Sequence, residues 1–397
     1  MSKFWNKMAI LREAKKYNKN LNKKGEENEE DEENSLYISQ DKPAFFVNKD
    51  YYNVKTSSRD KYSETEIAEL SDFYNKNFRV GKSNNTNIVS EEELYKYLSL
   101  SSEMLTIRKD SKLLGCMISI YIPTHVNIQY KQSQVCQCEK FDEMCSDNST
   151  VFGCASFLIL DESYKGKGLG MALIQESLQS FYEQGGLGAY FVNTVSRCDN
   201  SIKFQTWYFP FSFSKLNRCK YNYPKDYTQY FIQKLEDIKK ENLEIRKVKE
   251  EIRNVKAENV RAAYDFYILQ GKDKKFFFIP SFEYWHKWIS CFPTYIVLKN
   301  NAIIGLFCFR DSAIKYYNKN EIKVGLTLLC IGEQPYTLKC TLLKASELYD
   351  IINFYELADL NKALLSSILA QKGQIRYINF YNTRLNLQAS EFYAPIF

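Results

Sequence analysis

The residue types that could do chemistry in this chain concentrate between residues 151 and 175. Residues 151–160 form an apolar run of strand length and residues 161–166 a polar loop. Leu169, Ala172, Leu173 and Ile174 then fall at helical spacing. A strand that runs through a glycine-rich turn into a helix leaves unpaired backbone N–H groups at the positive end of the helix dipole. Such a junction suits a phosphate or pyrophosphate. Gly166, Gly168 and Gly170 let the backbone approach an anion closely, and Lys165 and Lys167 add positive charge. An ordinary strand–turn–helix junction is the alternative. The strand, the lysines and the three spaced glycines together favour phosphate binding over it.

The elements that must position this loop are legible upstream. Ser63 with Glu66, and Ser90 with Glu93, have the spacing of capping boxes. Each opens a helix, with Ile67, Leu70 and Phe73 on one apolar face and Leu94, Tyr97 and Leu98 on the other. Residues 104–109 and 113–121 read as two strands joined in a hairpin at Asp110-Ser111. The second half repeats this order. Residues 105–115 match residues 295–305 without a gap, an offset of 190 (305 minus 115), and residues 255–269 and 281–289 supply two helices in equivalent places. These matches predict a tandem α/β duplication: an N-terminal arm and tether over 1–62, a first unit over 63–220, a linker over 221–241 and a second unit over 242–397. After residues 324–330 the second copy has Gly332-Glu333-Gln334-Pro335, without lysines, so only the first copy is expected to hold a phosphate.

Read together, the strand and loop resemble a known family. The spacing Lys165-x-x-Gly168-x-Gly170 is similar to the pyrophosphate loop of the acyl-CoA-dependent N-acyltransferases. Ser156-Phe157-Leu158, followed by Lys165-Gly166-Lys167, resembles the Asn-Phe-Leu…Arg-Ser-Lys signature of the eukaryotic N-myristoyltransferases. Lys3-Phe4-Trp5 resembles that family's N-terminal arm, and Leu114 to Ser119 with Ile122-Pro123 its Leu-Val-Gly-Phe-Ile-Ser…Ile-Pro strand. Phe354 to Leu357, Asp359-Leu360, Asn361-Lys362 and Tyr381-Asn382 resemble motifs near its C-terminus. The matches are short, run in the family's order and span essentially the whole chain.

The resemblance implies tandem GNAT-like domains, each a mixed central sheet flanked by helices, and transfer of a long acyl chain, myristoyl, from acyl-CoA to the N-terminal glycine of acceptor proteins. It implies that Lys3, Phe4, Trp5, Phe157, Leu158, Ile159, Leu160, Lys165, Gly166, Lys167, Gly168, Leu169, Gly170 and Met171 hold myristoyl-CoA, a co-substrate rather than a resident cofactor. The backbone amides of Phe157 and Leu158 would form the oxyanion hole. Thr194 would touch the substrate amine, and the C-terminal carboxylate of Phe397, at the end of an apolar tail, would be the base. Alternatives are that 157 and 158 are only core residues, and that the tail simply closes the sheet with its end in water.

The chain also departs from the family on the peptide side. Phe78-Arg79-Val80-Gly81 stands in place of Tyr-Val-Glu-Asp, Trp207-Tyr208 in place of Trp-His, and the loop near Gly373-Gln374 is shortened. A generic N-acetyltransferase and a non-catalytic acyl-CoA- or peptide-binding homologue are therefore the rival functions.

Composition sets outer bounds. A chain of 397 residues with 45% hydrophobic and 15% aromatic content can build two cores. Its net charge of +6 is too small an excess to argue for nucleic acid. No signal peptide or apolar span is apparent, so a cytoplasmic protein with reduced cysteines, acting as a monomer, is expected. Cys136, Cys138, Cys145 and Cys154 lack zinc-site spacing, and no metal is expected. With only His125 and His286, both in strand-like or aromatic surroundings, a histidine-based triad is disfavoured. The acidic run over 26–33 reads as a solvated tether.

Overall fold

The computed structural model describes residues 53–58, 62–78, 86–100, 102–126, 150–184, 186, 188–194, 196, 200–241, 244–248, 258–316, 321–381, 383, 385 and 387–395. Lys3, Phe4, Trp5, the acidic tether, Arg79 to Gly81, Cys136, Cys138, Cys145 and Phe397 lie outside the described residues.

In chain order the first half carries β1 (Asn53–Ser58), α1 (Glu64–Asn77), β2 (Thr86–Ile88), α2 (Glu91–Ser99), β3 (Ser102–Lys109), β4 (Lys112–Val126), β5 (Thr150–Leu160), α3 (Leu169–Glu183), β6 (Gly188–Asn193) and β7 (Ile202–Pro210). α4 (Phe213–Arg218) and α5 (Thr228–Lys239) follow. The second half carries β8 (Glu244–Lys247), α6 (Glu258–Gly271), β9 (Phe276–Phe278), α7 (Phe282–Cys291), β10 (Thr294–Lys299), β11 (Ala302–Lys315) and β12 (Glu321–Gly332). It ends with α8 (Tyr336–Leu348), β13 (Ile351–Tyr355), α9 (Lys362–Ser367), β14 (Gln371–Tyr381) and β15 (Phe392–Tyr393).

Local sequence explains the helix starts, with one difference. Ser63 makes the full reciprocal capping box with Glu66. Ser90 accepts the Glu93 N–H, but the Glu93 carboxylate does not return the bond. It is drawn inward to Arg310 instead. The region read as a linker contains α5, whose Phe231 and Ile238 are buried in a cluster with Phe307, Phe309 and Leu338 of the second half.

The duplication is visible in backbone detail. Asp110 and Ser111 both have positive φ, as do Asn300 and Asn301 190 positions later, which is the turn a two-residue hairpin requires. Each hairpin then carries a bulge at the same place, after Ile107↔Gly115 and after Val297↔Gly305. The two copies do not form separate sheets. Among the described residues one sheet of fifteen strands has twelve in the order β1-β3-β4-β5-β6-β14-β7-β13-β12-β11-β10-β8, with β2, β9 and β15 paired off this path. β14, from the second half, pairs with β6, while β7, from the first half, pairs with β13. The short strands are exchanged too, since β2 pairs with β11 and β9 with β4. Each half completes the other, and a core cluster joins Tyr97 and Phe157 of the first half to Trp288 and Phe392 of the second.

Candidate functional site: a gap in the first half of the sheet

β5 and β6 pair in parallel from Phe152↔Gly188 only as far as Ala155↔Phe191, although β5 continues to Leu160 and β6 to Asn193. From Ser156 onward no strand among the described residues pairs with the β6-facing edge of β5. On its other edge, the register with β4 steps from Ile118↔Ser156 to Cys116↔Ile159, so Met117 alone faces both Phe157 and Leu158. This is a β-bulge, and Phe157 adopts φ 52° within it. A left-handed conformation costs a non-glycine residue about 1–2 kcal/mol. Burial of the Phe157 ring offsets that cost: it packs 4.6 Å from the Tyr97 ring and 5.4 Å from Tyr74. With Phe157 turned down into the core, Leu158 stands 39% exposed at the gap.

Beyond the gap, the Asp161 N–H closes onto the Leu114 carbonyl at 2.8 Å and the chain enters the glycine loop. Gly166 and Gly168 have φ of 82° and 88°, and open space surrounds the position a Cβ would take at either. Conformation therefore demands glycine here. Gly168 is also the N-cap of α3 and supplies no side-chain cap; its carbonyl accepts the Met171 and Ala172 N–H groups at 3.0 and 3.1 Å, which leaves the N–H groups of Leu169 and Gly170 as the helix's anion-facing donors. Gly170 lies against Leu158 and Leu160, which joins the loop to the bulge. Lys165 pairs with Glu162 at 3.4 Å, and Lys167 sits 4.4 Å over the Tyr164 ring. Lys112, from the β3–β4 hairpin, reaches the same ring at 5.9 Å and pairs with Asp161 at 3.0 Å. Hydrogen bonds from Ser163, and then from Lys112, hold the Asp161 carboxyl down to about 2.

Beneath the bulge lies a charged pair. Arg310 of β11 is buried, with its guanidinium 4.8 Å over the Phe157 ring and 5.2 Å over Tyr97. Its Nε donates to Glu93 Oε1 at 3.4 Å. Burial pushes the Glu93 carboxyl up, against the pull of Arg310.

The tail enters the core. β15 pairs in parallel with β9, the Phe392 ring stacks on Phe276, and Pro395 is buried with its carbonyl accepting the Tyr190 hydroxyl at 3.0 Å. Burial keeps the Tyr190 phenol protonated, as this bond needs. Thr194 is exposed immediately after β6, at the end of the strand that borders the gap, and its N–H bonds the Asn193 side chain at 2.7 Å.

Of the residues singled out from sequence, Gly170 lies against Leu158 and Leu160, Gly166 and Gly168 belong to the same loop, Met171 is in the first turn of α3, and Thr194 follows the strand that borders the gap. Others contribute differently. Ile159 and Leu169 are core side chains, so only their backbones can reach a ligand, and Leu160 and Phe157 pack inward. The two loop lysines rest on neighbours rather than pointing into the nest. Lys112, Tyr164, Glu93 and Arg310 were not anticipated. A signal existed for Lys112, because the 190-residue offset pairs it with Ala302. The apposition of Arg310 with Phe157 depends on strands far apart in sequence and left no local trace. His125 sits in β4 opposite Phe277, and His286 is exposed on α7. Among the described residues no His, Cys, Asp and Glu side chains cluster to hold a metal, and no helix is long and apolar enough to cross a membrane.

No protein-family profile and no curated protein matches the sequence. Solved structures do match. N-myristoyltransferase of Saccharomyces cerevisiae with bound myristoyl-CoA superposes with a TM-score of 0.65 at 14% identity, over 88% of this chain and 86% of the yeast one. A second yeast structure, with bound myristoyl-CoA and inhibitors, gives 0.64 at 13% identity over 90% and 88%. The chain therefore has the tandem α/β fold of yeast N-myristoyltransferase across nearly its full length.

Proposed function

We propose that this protein transfers a long acyl chain, myristoyl, from acyl-CoA to the N-terminal glycine amine of acceptor proteins. The observation that carries the reading is the open gap after Ala155↔Phe191, with a bulge at Phe157 on one side and an uncapped glycine loop at its end. In this proposal the loop over 165–171 holds the pyrophosphate, Leu158 and Met171 meet the pantetheine and acyl chain, and Lys3, Phe4 and Trp5 close over the CoA. The first unit holds the acyl-CoA and the second presents the acceptor.

The amine nitrogen attacks the thioester carbonyl carbon, the C–N bond forms, the C–S bond breaks, and the proton the nitrogen sheds on becoming the amide goes to the departing sulfur, so that CoA leaves as its thiol. Negative charge builds on the carbonyl oxygen, and the amides of Phe157 and Leu158, turned by the bulge, would stabilise it. The ammonium must lose a proton before attack. The Phe397 carboxylate is the base in this scheme, and the burial of Pro395 against Tyr190 supports a tail that runs inward. Thr194 would orient the amine.

The test is mass spectrometry of a glycine-starting peptide library incubated with the protein and acyl-CoAs of graded length. The expected product is an N-myristoylated glycine. Acetyl transfer from acetyl-CoA in preference to myristoyl transfer would replace this reading with the generic acetyltransferase, and binding without any product would replace it with a non-catalytic acyl-CoA-binding role.

A further inference from the structure

The Arg310 guanidinium is buried to 7% exposure, yet it is sparsely used. Of its five N–H groups, only Nε–H has a hydrogen-bond acceptor among the described residues, the Glu93 carboxylate at 3.4 Å. Neither Nη has an acceptor among the described residues. Rings fix the position of the group: Phe157 at 4.8 Å and Tyr97 at 5.2 Å stack on it. The side chain is thus held on its Nε edge and faces, while the Nη1–Nη2 edge has no hydrogen-bond acceptor among the described residues.

A rigid, partly desolvated guanidinium edge with two parallel donors matches one chemical group best, a carboxylate bound in bidentate fashion. The structural alternative is an ion pair that ties the two halves together. That role explains the Nε–Glu93 contact but leaves the fork unexplained, because an arginine serving only Glu93 would bring two N–H groups to it. The location adds a functional constraint, since the group lies directly under the Phe157 ring and so one residue's breadth from the bulge.

Building on the proposed acyl transfer, we infer that Arg310 recognises a carboxylate on the acceptor, close to the amine that is acylated. Two sources supply that chemistry: an acidic side chain following an N-terminal glycine, or the α-carboxylate of a free amino acid. Glu93 keeps the site near neutrality before the acceptor arrives, and the incoming carboxylate takes the Nη1–Nη2 edge without displacing it.

The experiment measures acceptor affinity by calorimetry on the full chain loaded with a non-hydrolysable thioether analogue of myristoyl-CoA. Two matched pairs are compared: amidated Gly-Asp-Ala-Ala against Gly-Asn-Ala-Ala, and glycine against glycinamide. The acidic member of one pair is expected to bind tighter by roughly tenfold or more, and which pair shows it identifies the source. Arg310→Gln is expected to bring that ratio close to one, and because the ratio compares two acceptors on the same analogue-loaded protein, any change the substitution makes in analogue affinity cancels out of it. Arg310→Lys, which keeps the charge but loses the fork, is expected to fall between and covers the case in which Arg310→Gln does not fold. If neither carboxylate outbinds its amide in the native chain, or if the preference survives both substitutions, the inference is wrong. Turnover is read separately with authentic myristoyl-CoA. Failure to acylate any acceptor would overturn the proposed reaction, whereas the affinity ratios decide the role of Arg310 on their own.

Discussion

The two halves of the sheet carry a similar gap, and among the described residues only the second is filled. In the second half β12 and β13 pair from Val324↔Ile351 to Leu326↔Asn353 and then part, as β5 and β6 do. The register with β11 slips between Cys308↔Leu329 and Phe309↔Thr327, so this strand too carries a bulge, at Leu328, one position before the residue that the pairs Gly115↔Leu160 and Gly305↔Gly332 align with Phe157. Even the closing bond is repeated, with the Glu333 N–H on the Ile304 carbonyl at 2.7 Å. From there the copies diverge. The bulge residue Leu328 and Cys330, which the register aligns with Leu158, are 7% and 5% exposed, whereas Leu158 is 39% exposed. Tyr355, Leu357 and the tail residues Phe392, Tyr393 and Ala394 fill the second gap to a cavity of about 40 Å³. The helix that follows is capped by its own chain, since Gln334 Oε1 accepts the Leu338 N–H at 3.3 Å. The Gly168 end of α3 has no side-chain cap. A duplicated scaffold has thus kept its backbone geometry twice and its ligand-accessible surface once. The second copy's version has become packing for the tail.

That comparison is sharpest in a crossed pair of substitutions. Leu328→Ala removes a buried side chain beside the tail, and a loss of about 2–5 kcal/mol in unfolding free energy is expected with unchanged acyl-CoA affinity. Leu158→Ala is expected to do the reverse, with less than about 1 kcal/mol lost in denaturant unfolding but weaker acyl-CoA binding. The same pattern at both sites would mean the gaps are equivalent.

Gly168→Glu probes the loop. Its φ of 88° makes any side chain costly by about 1–2 kcal/mol, and the carboxylate would occupy the space a pyrophosphate needs. Acyl-CoA affinity by calorimetry is expected to fall roughly hundredfold, about 2.7 kcal/mol, in a protein that still unfolds cooperatively. An unchanged affinity would move the phosphate elsewhere.

The smallest effect concerns the loop's acidic anchor. Asp161 titrates near 2 when folded, below the roughly 3.9 of an unfolded aspartate. Its contribution to stability is therefore present above about pH 4 and is lost as pH falls through 2. Comparing Asp161→Asn with the native chain across pH 2–6, the native chain's advantage is expected to disappear toward the acid end. A constant difference would show that Ser163 and Lys112 do not hold this carboxylate.

How much of this was legible in the sequence follows from how local each feature is. The Ser63 capping box, the hairpin at Asp110-Ser111 and the glycine loop are set by residues within a few positions of one another, and each is where its pattern places it. The 190-residue offset exposed the duplication because the hairpins are contiguous. The Ser90 box is only half made, since a distant residue, Arg310, competes for Glu93. The bulge at Phe157 is held by Tyr74, Tyr97 and Arg310, contributed by α1, α2 and β11, so no window around residue 157 reveals it. The exchange of β7 and β14 between halves is likewise a matter of pairing partners, on which strand-forming residues are silent.

The central claim, that acyl-CoA enters the first gap and not the second, is tested most directly by photo-cross-linking. A myristoyl-CoA analogue with a diazirine in its acyl chain is bound, irradiated and mapped by peptide mass spectrometry, with unlabelled myristoyl-CoA as competitor. Competable labelling is expected on residues 156–171 and near the end of β6 at 192–194. Competable labelling confined to residues 324–336 and the tail at 392–395 would contradict the account.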